Sequence, residues 1–223
     1  MKLLAIETSS DVGSVALLVG ENLAQQHIAT PREQTERILP IIGELLVTAG
    51  VSLKDLDGIA FGRGPGSFTG LRVAAAVAQG LGLAVDVPLL PVSSLAAMAQ
   101  GRWRTDRQKC SLVCIDARMG EVFWGAYEIR EGMAELLGVE HLSAPGAVAW
   151  TDAGSWGGVG SGFDAYRDAL GSIIAEAGNI QAACQPGAAD LLPQALADLR
   201  GGRAQSAEDA TPVYLRDETA WQK

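Results

Sequence analysis

The chain has 223 residues and a formal net charge of −9. Hydrophobic residues make up 48% and charged ones 19%, a balance that excludes a disordered chain and lets this length bury a large core as one domain or two small ones. So acidic a surface repels a phosphate backbone, which argues against direct RNA or DNA binding.

Residues 2–8, 13–19 and 22–29 read as three short strands joined by tight turns at Ser10-Asp11 and Gly20-Glu21. The opening KLLAIET reads as strand, with an acid where a secretory signal would stay apolar, and the expected location is cytoplasmic. Thr30-Pro31-Arg32-Glu33 offers a capping box with proline at the first helical position, so a helix is expected from there to Gly50, kinked at Pro40. A strand over 58–62 then leads into GRGPGSFTGLR, residues 62–72, the most distinctive stretch of the chain.

In that loop Gly62, Gly64, Gly66 and Gly70 admit backbone conformations closed to other residues, and Ser67 or Thr69 can cap the helix that follows. A phosphate-binding reading meets two obstacles. Gly70 is followed by Leu71 and Arg72 instead of Lys-Ser/Thr, and the glycine spacing breaks the dinucleotide pattern. A structural turn with tight helix packing is therefore preferred over an anion site. The helix itself is apolar or small all round except for Arg72 and Gln79, and its apolar run from Val73 to Val85 is shorter than the roughly 20 residues that cross a bilayer. A strand over 87–91, a short helix from Ser93 or Ser94 and a solvated basic linker over 101–109 complete the first half.

The second half restarts the same pattern. SLVCIDARMGEVFWGAYEI sets Asp116 before a glycine turn as LLAIETSSDVGSVALLV sets Glu7, which suggests duplication of a hairpin-led α/β unit. A third strand over 135–142, the glycine-rich WGGVGSG at 156–162, helices over 163–176 and 189–200 and an extended docking segment at 211–216 follow. The expected division is an N-terminal lobe over 1–100 and a reduced C-terminal lobe over 110–216.

Catalytic candidates are few. Cys110, Cys114 and Cys184 form no disulfide framework and read as core thiols. His27 and His141 lie alone in separate strands, without a metal partner at helical spacing, and no GxSxG elbow accompanies a serine. Glu7 and Asp116, with Gly158 and Gly160, form the candidate nucleotide or magnesium set; the competing reading is that acids at strand ends simply meet water. Clearer is an excess of apolar helix surface. Ile38, Leu39, Ile41, Ile42, Leu45, Leu46 and Ala49 cover more than the ~100° that one buried face requires. Ala74, Ala75, Ala76, Ala78, Gly80 and Gly82 permit another helix to come close.

Taken together, LLAIETSS, ERILP, GPGSFTGLR, DARMGEV and PVYLR, spread from residue 3 to residue 216, resemble the TsaB family, also called YeaZ. The resemblance implies an α/β fold of the duplicated actin-like (ASKHA, ribonuclease-H-like) type. It implies a non-catalytic subunit that helps install threonylcarbamoyl on the adenosine next to the tRNA anticodon, acting in the cytoplasm beside the catalytic paralogue TsaD and the ATPase TsaE, with tRNA contacted only indirectly. It places pairing with TsaD, or self-pairing when alone, on the first two long helices, at Ile38, Ile41, Ile42, Leu45 and Leu46 and at Leu71, Ala74, Ala75 and Ala78. TsaD-like catalysts carry a metal-binding HxxxH pair on the first of these helices. This chain has Gln34, Thr35 and Ile38 there, so neither that metal nor transfer chemistry is expected, and ATP with magnesium is expected only at a junction with the partners. An ATP-binding phosphotransferase or ATPase of the same fold is the alternative.

Overall fold

The computed structural model describes residues 1–150 and 155–216. In chain order the main elements are β1 (Lys2–Glu7), β2 (Gly13–Val19), β3 (Asn22–Ile28), α1 (Pro31–Ala49), β4 (Gly58–Gly64), α2 (Phe68–Val85), β5 (Leu89–Ser93) and α3 (Ser94–Asp106). There follow β6 (Cys110–Arg118), β7 (Glu121–Arg130), β8 (Met133–Ser143), β9 (Gly157–Val159), α4 (Gly162–Ala165), α5 (Gly171–Glu176), β10 (Asn179–Gln181) and α6 (Ala188–Arg200).

The strands form two five-stranded sheets, ordered β3-β2-β1-β4-β5 and β8-β7-β6-β9-β10. In each, an antiparallel three-strand meander is extended by two parallel strands from its first member. One order written twice in a single chain is the duplication that the Glu7 and Asp116 hairpins suggest, and the fold is the two-lobed, actin-like α/β arrangement.

Among the described residues the chain divides into two compact units, residues 1–97 with 186–213 and residues 98–185 with the segment from 214. This differs from the expected lobes of 1–100 and 110–216, because α6 returns to the first sheet. Strand alternation explains how. Leu4, Ile6, Val15, Leu17, Ile59 and Phe61 point to one face and meet α1 and α2. Leu3, Ala5, Ala16, Ala60 and Leu90 point to the other and meet Leu191, Leu192 and Ala195 of α6. Without α6 that second face would lie open. Two β-strand side chains supply its missing cap: the Ala188 N–H donates to Ser14 Oγ (2.8 Å) and the Ala189 N–H to Gln25 Oε1 (2.9 Å).

Local signals set the helix ends. Thr30 Oγ1 accepts from the Glu33 N–H, Pro31 occupies the first turn, and Gly50 closes α1 in the left-handed region (φ 65°). Pro40 lies on the exposed side and α1 continues through it. At 18 residues, α2 is longer than its purely apolar run and matches a membrane span in length and hydropathy. Its inner face nevertheless packs on the sheet through Ala74, Ala75 and Ala78, and Gln79 Nε2 donates to the Ala210 carbonyl at 3.0 Å.

Two expectations for the second unit need correction. The basic segment 101–109 is helical as far as Asp106, and Arg102 is completely buried rather than solvated. Its NH1 donates to the Gly158 carbonyl (3.3 Å) and its Nε lies 3.2 Å from Asp106 Oδ2, tying α3 to β9. The helix expected over 163–176 is two short helices, α4 and α5, with Leu170 buried between them.

Candidate functional site

Three places carry the sequence candidates: the end of β1, the end of β6, and the pair α1 and α2. Glu7 ends β1 with no exposed surface. Its Oε1 accepts from the Ser9 N–H (2.6 Å) and its Oε2 from the Ser94 hydroxyl (2.9 Å). Burial pushes its carboxyl above the usual carboxylate range, while these hydrogen bonds pull it partly back. The water-facing explanation of this acid therefore fails, and so does the view of it as an open magnesium ligand. Glu7 meets protein on every side.

The glycines of 62–70 do the sealing. A Cβ on Gly62 would lie 2.1 Å from Glu7 Oε2, one on Gly66 2.5 Å from the Ser9 carbonyl, and one on Gly70 1.8 Å from the Thr8 carbonyl. They are glycines because the end of β1 presses into the loop and the start of α2. Ser67 caps α2, accepting from the Gly70 N–H (3.4 Å), and Thr8 Oγ1 donates to the Gly70 carbonyl (2.7 Å). The preferred structural-turn reading of this loop matches its geometry.

At the end of β6, Asp116 is partly exposed. It accepts from the Arg118 N–H (2.8 Å), from Arg118 NH1 (3.0 Å) and from the Tyr166 hydroxyl (2.9 Å). Burial and the bond to Asp116 push the Tyr166 hydroxyl up, and burial with the Asp116 charge pushes the Cys114 thiol up to about 12. Cys114 is thus an inert core thiol at neutral pH. Gly158 and Gly160, the candidate phosphate cradle, are filled by their own unit. A Cβ on Gly158 would lie 2.8 Å from the Phe163 ring and one on Gly160 2.4 Å from the Cys114 carbonyl. Glu7 and Asp116 belong to different units, and each is satisfied within its own. Gln34 is buried and donates to the Ser10 carbonyl at 2.9 Å, holding the β1–β2 turn.

The helix pair gives the largest correction. Ile38, Ile41, Ile42, Leu45 and Leu46 of α1 and Leu71, Ala74, Ala75 and Ala78 of α2 are all buried, and all but Leu71 join the core on the first sheet. None of the nine is free to meet another protein. The residues turned outward are different ones on the same helices: Leu39 is 54% exposed, Val47 82%, Phe68 45% and Leu83 64%, with Gly43, Ala76 and Gly80 exposed among them. Arg72, the cation on this side of α2, lies with its guanidinium carbon 3.6 Å from the Phe68 ring centre. The outward positions were legible in part. Leu39, Gly43 and Val47 recur every four residues, a second stripe beside the Ile38–Leu45 one.

Comparison with known proteins agrees with this architecture. A family model described as "TsaD: tRNA N6-adenosine threonylcarbamoyltransferase" matches residues 24–223. The chain is 39% identical to the tRNA threonylcarbamoyladenosine biosynthesis protein TsaB of Escherichia coli (strain K12), across 100% of this chain and 98% of that protein. It is 35% identical to the Haemophilus influenzae protein of the same name, across 100% and 97%. Among solved structures, YeaZ from Pseudomonas aeruginosa superposes with a TM-score of 0.86 at 39% identity, covering 96% of this chain and 99% of that one. A second Pseudomonas aeruginosa structure, of a protein with similarity to YeaZ, reaches 0.90 at 40% identity over the same shares. With full-length sequence relatives, a matching family model and solved folds in agreement, this chain belongs to the TsaB (YeaZ) family, within the wider TsaD-related group.

Proposed function

We propose that the chain is a non-catalytic accessory subunit in the formation of threonylcarbamoyladenosine beside the tRNA anticodon, docking and activating a TsaD-like paralogue. The observation that carries this reading is the outward face of α1 and α2, apolar at Leu39, Val47, Phe68 and Leu83 on two helices whose inner faces are already used by the sheet. Each such side chain contributes ~1.5–3 kcal/mol when fully covered. Set against an association cost of ~4–15 kcal/mol, four of them offset a large part of it, and the contacts around them supply the remainder. Activation follows if the partner's active state binds this face more tightly than its inactive one.

The remaining assignments extend the same reading. A TsaE-like ATPase is the third component, and two copies of this chain pair through the same face when the paralogue is absent. With a net charge of −9 the chain touches tRNA only through the assembly, in the cytoplasm where tRNA is modified. It needs no cofactor of its own, and ATP with magnesium belongs at the junction with its partners. The alternative, a phosphotransferase or ATPase acting alone, loses its acids and glycines to packing. A clear binding heat on titrating the isolated chain with Mg-ATP would restore it.

The test compares the two faces of one helix. Val47→Glu is expected to abolish co-elution with the catalytic paralogue and tRNA modification in the reconstituted system, while thermal melting stays near that of the parent. Ile42→Glu places a charge in the core and is expected to unfold the lobe. Normal pairing and modification by a folded Val47→Glu protein would remove the proposal.

A further inference from the structure

Four glycines lie inside α1 and α2, and they divide into two kinds. Gly70 and Gly82 are required by their own fold, since a Cβ would lie 1.8 Å from the Thr8 carbonyl in one case and 2.9 Å from the Val87 carbonyl in the other. Gly43 and Gly80 have nothing within 4 Å of that position. Neither adopts a positive φ, so the backbone gives no reason for them. A glycine in the middle of a helix weakens it relative to alanine. These two weaken their helices without serving any contact among the described residues.

Both stand on the outward face. Gly43 has Leu39 and Val47 one turn to either side, and Gly80 lies between Ala76 and Leu83, all of them exposed. We propose that Gly43 and Gly80 are the points where the partner's backbone comes closest; this rests on the docking face proposed above. A missing side chain lets two helices approach more closely than the usual 8–10 Å axis separation and brings Cα–H groups within reach of the partner's carbonyls. The flanking large apolar side chains then reach into the grooves beside the contact. The occupant is a helix pair of a related chain: the TsaD family model spans residues 24–223, which include α1 and α2, so a TsaD-like partner carries counterparts of both helices. Related chains can meet through like surfaces in a pseudo-twofold arrangement.

The experiment titrates the full-length chain against the catalytic paralogue from the same genome, using Gly43→Ala, Gly80→Ala and the double substitution, with melting recorded for each. Each alanine is expected to raise the melting midpoint by about 2–4 °C and to weaken pairing about tenfold or more. Thr48→Ala, exposed on α1 but turned away from Gly43, controls for helix stability and should leave pairing unchanged. Parental affinity in both glycine variants, with Val47→Glu still breaking the pair, overturns the proposal and leaves the docking face standing. Failure of the parental chain to pair overturns both.

Discussion

The two lobes repeat one strand order and treat the same strand end differently. In the first, Glu7 is sealed, held by Ser9 and Ser94 and abutted by Gly62, while Gly66 and Gly70 press on the neighbouring Ser9 and Thr8. In the second, Asp116 keeps an exposed arginine and a tyrosine as partners while Gly160 and Gly162 press against Cys114 instead of against the acid. Duplication has preserved how a glycine loop after the inner parallel strand packs on the hairpin strand. It has not preserved what the acid faces, so matching acids in a repeated sequence do not by themselves make one site.

The glycine contacts are where this comparison breaks most easily. Gly70→Ala must push the Thr8 backbone aside, and an unfolding loss of roughly 3 kcal/mol or more is expected from denaturant melts. Gly160→Ala meets the Cys114 carbonyl at 2.4 Å from a φ of +115°, and a loss of similar size is expected. A near-neutral result for either would mean that its loop relaxes and that the lobes are not packed alike.

A pH series sharpens the contrast between the acids. Because burial raises the folded-state pKa of Glu7, its favourable contribution is complete below the ordinary value of 4.5 and is lost as pH rises through the folded value. Glu7→Gln keeps the acceptor for the Ser9 N–H, and the Ser94 hydroxyl can turn to accept from the new amide. The variant should therefore match its parent near pH 4 and become relatively more stable as pH rises, with a flatter pH dependence by thermal melting. An unchanged slope would show that Glu7 does not control it. The smallest effect is expected from Asp116→Asn, which removes one ion pair to an arginine whose side chain is 81% exposed. A loss under about 1 kcal/mol is expected in the same assay.

Much of this was readable from residue patterns because the determinants are local. Thr30 with Pro31 and Gly50 bound α1, alternation sets both faces of β1, and the hairpins of Glu7 and Asp116 reveal the repeat. The basic run 101–109 was misleading because charge suggests solvent, yet Arg102 finds a backbone carbonyl and an aspartate after folding. The residues expected to dock turned out to be buried for a related reason. A helix with two apolar stripes does not say which one its sheet will take, and the β-branched and leucine-rich stripe went inward.

The sequence by itself determined most elements of the first lobe, the duplication and the family, since capping, alternation and motif spacing act over a few residues. Only the tertiary structure decided that α6 completes the first lobe from the far end of the chain, that Glu7 is closed off, and that Leu39, Gly43, Val47, Gly80 and Leu83 remain outside. These are choices among competing burials, and they are settled by which surfaces meet when distant segments pack together.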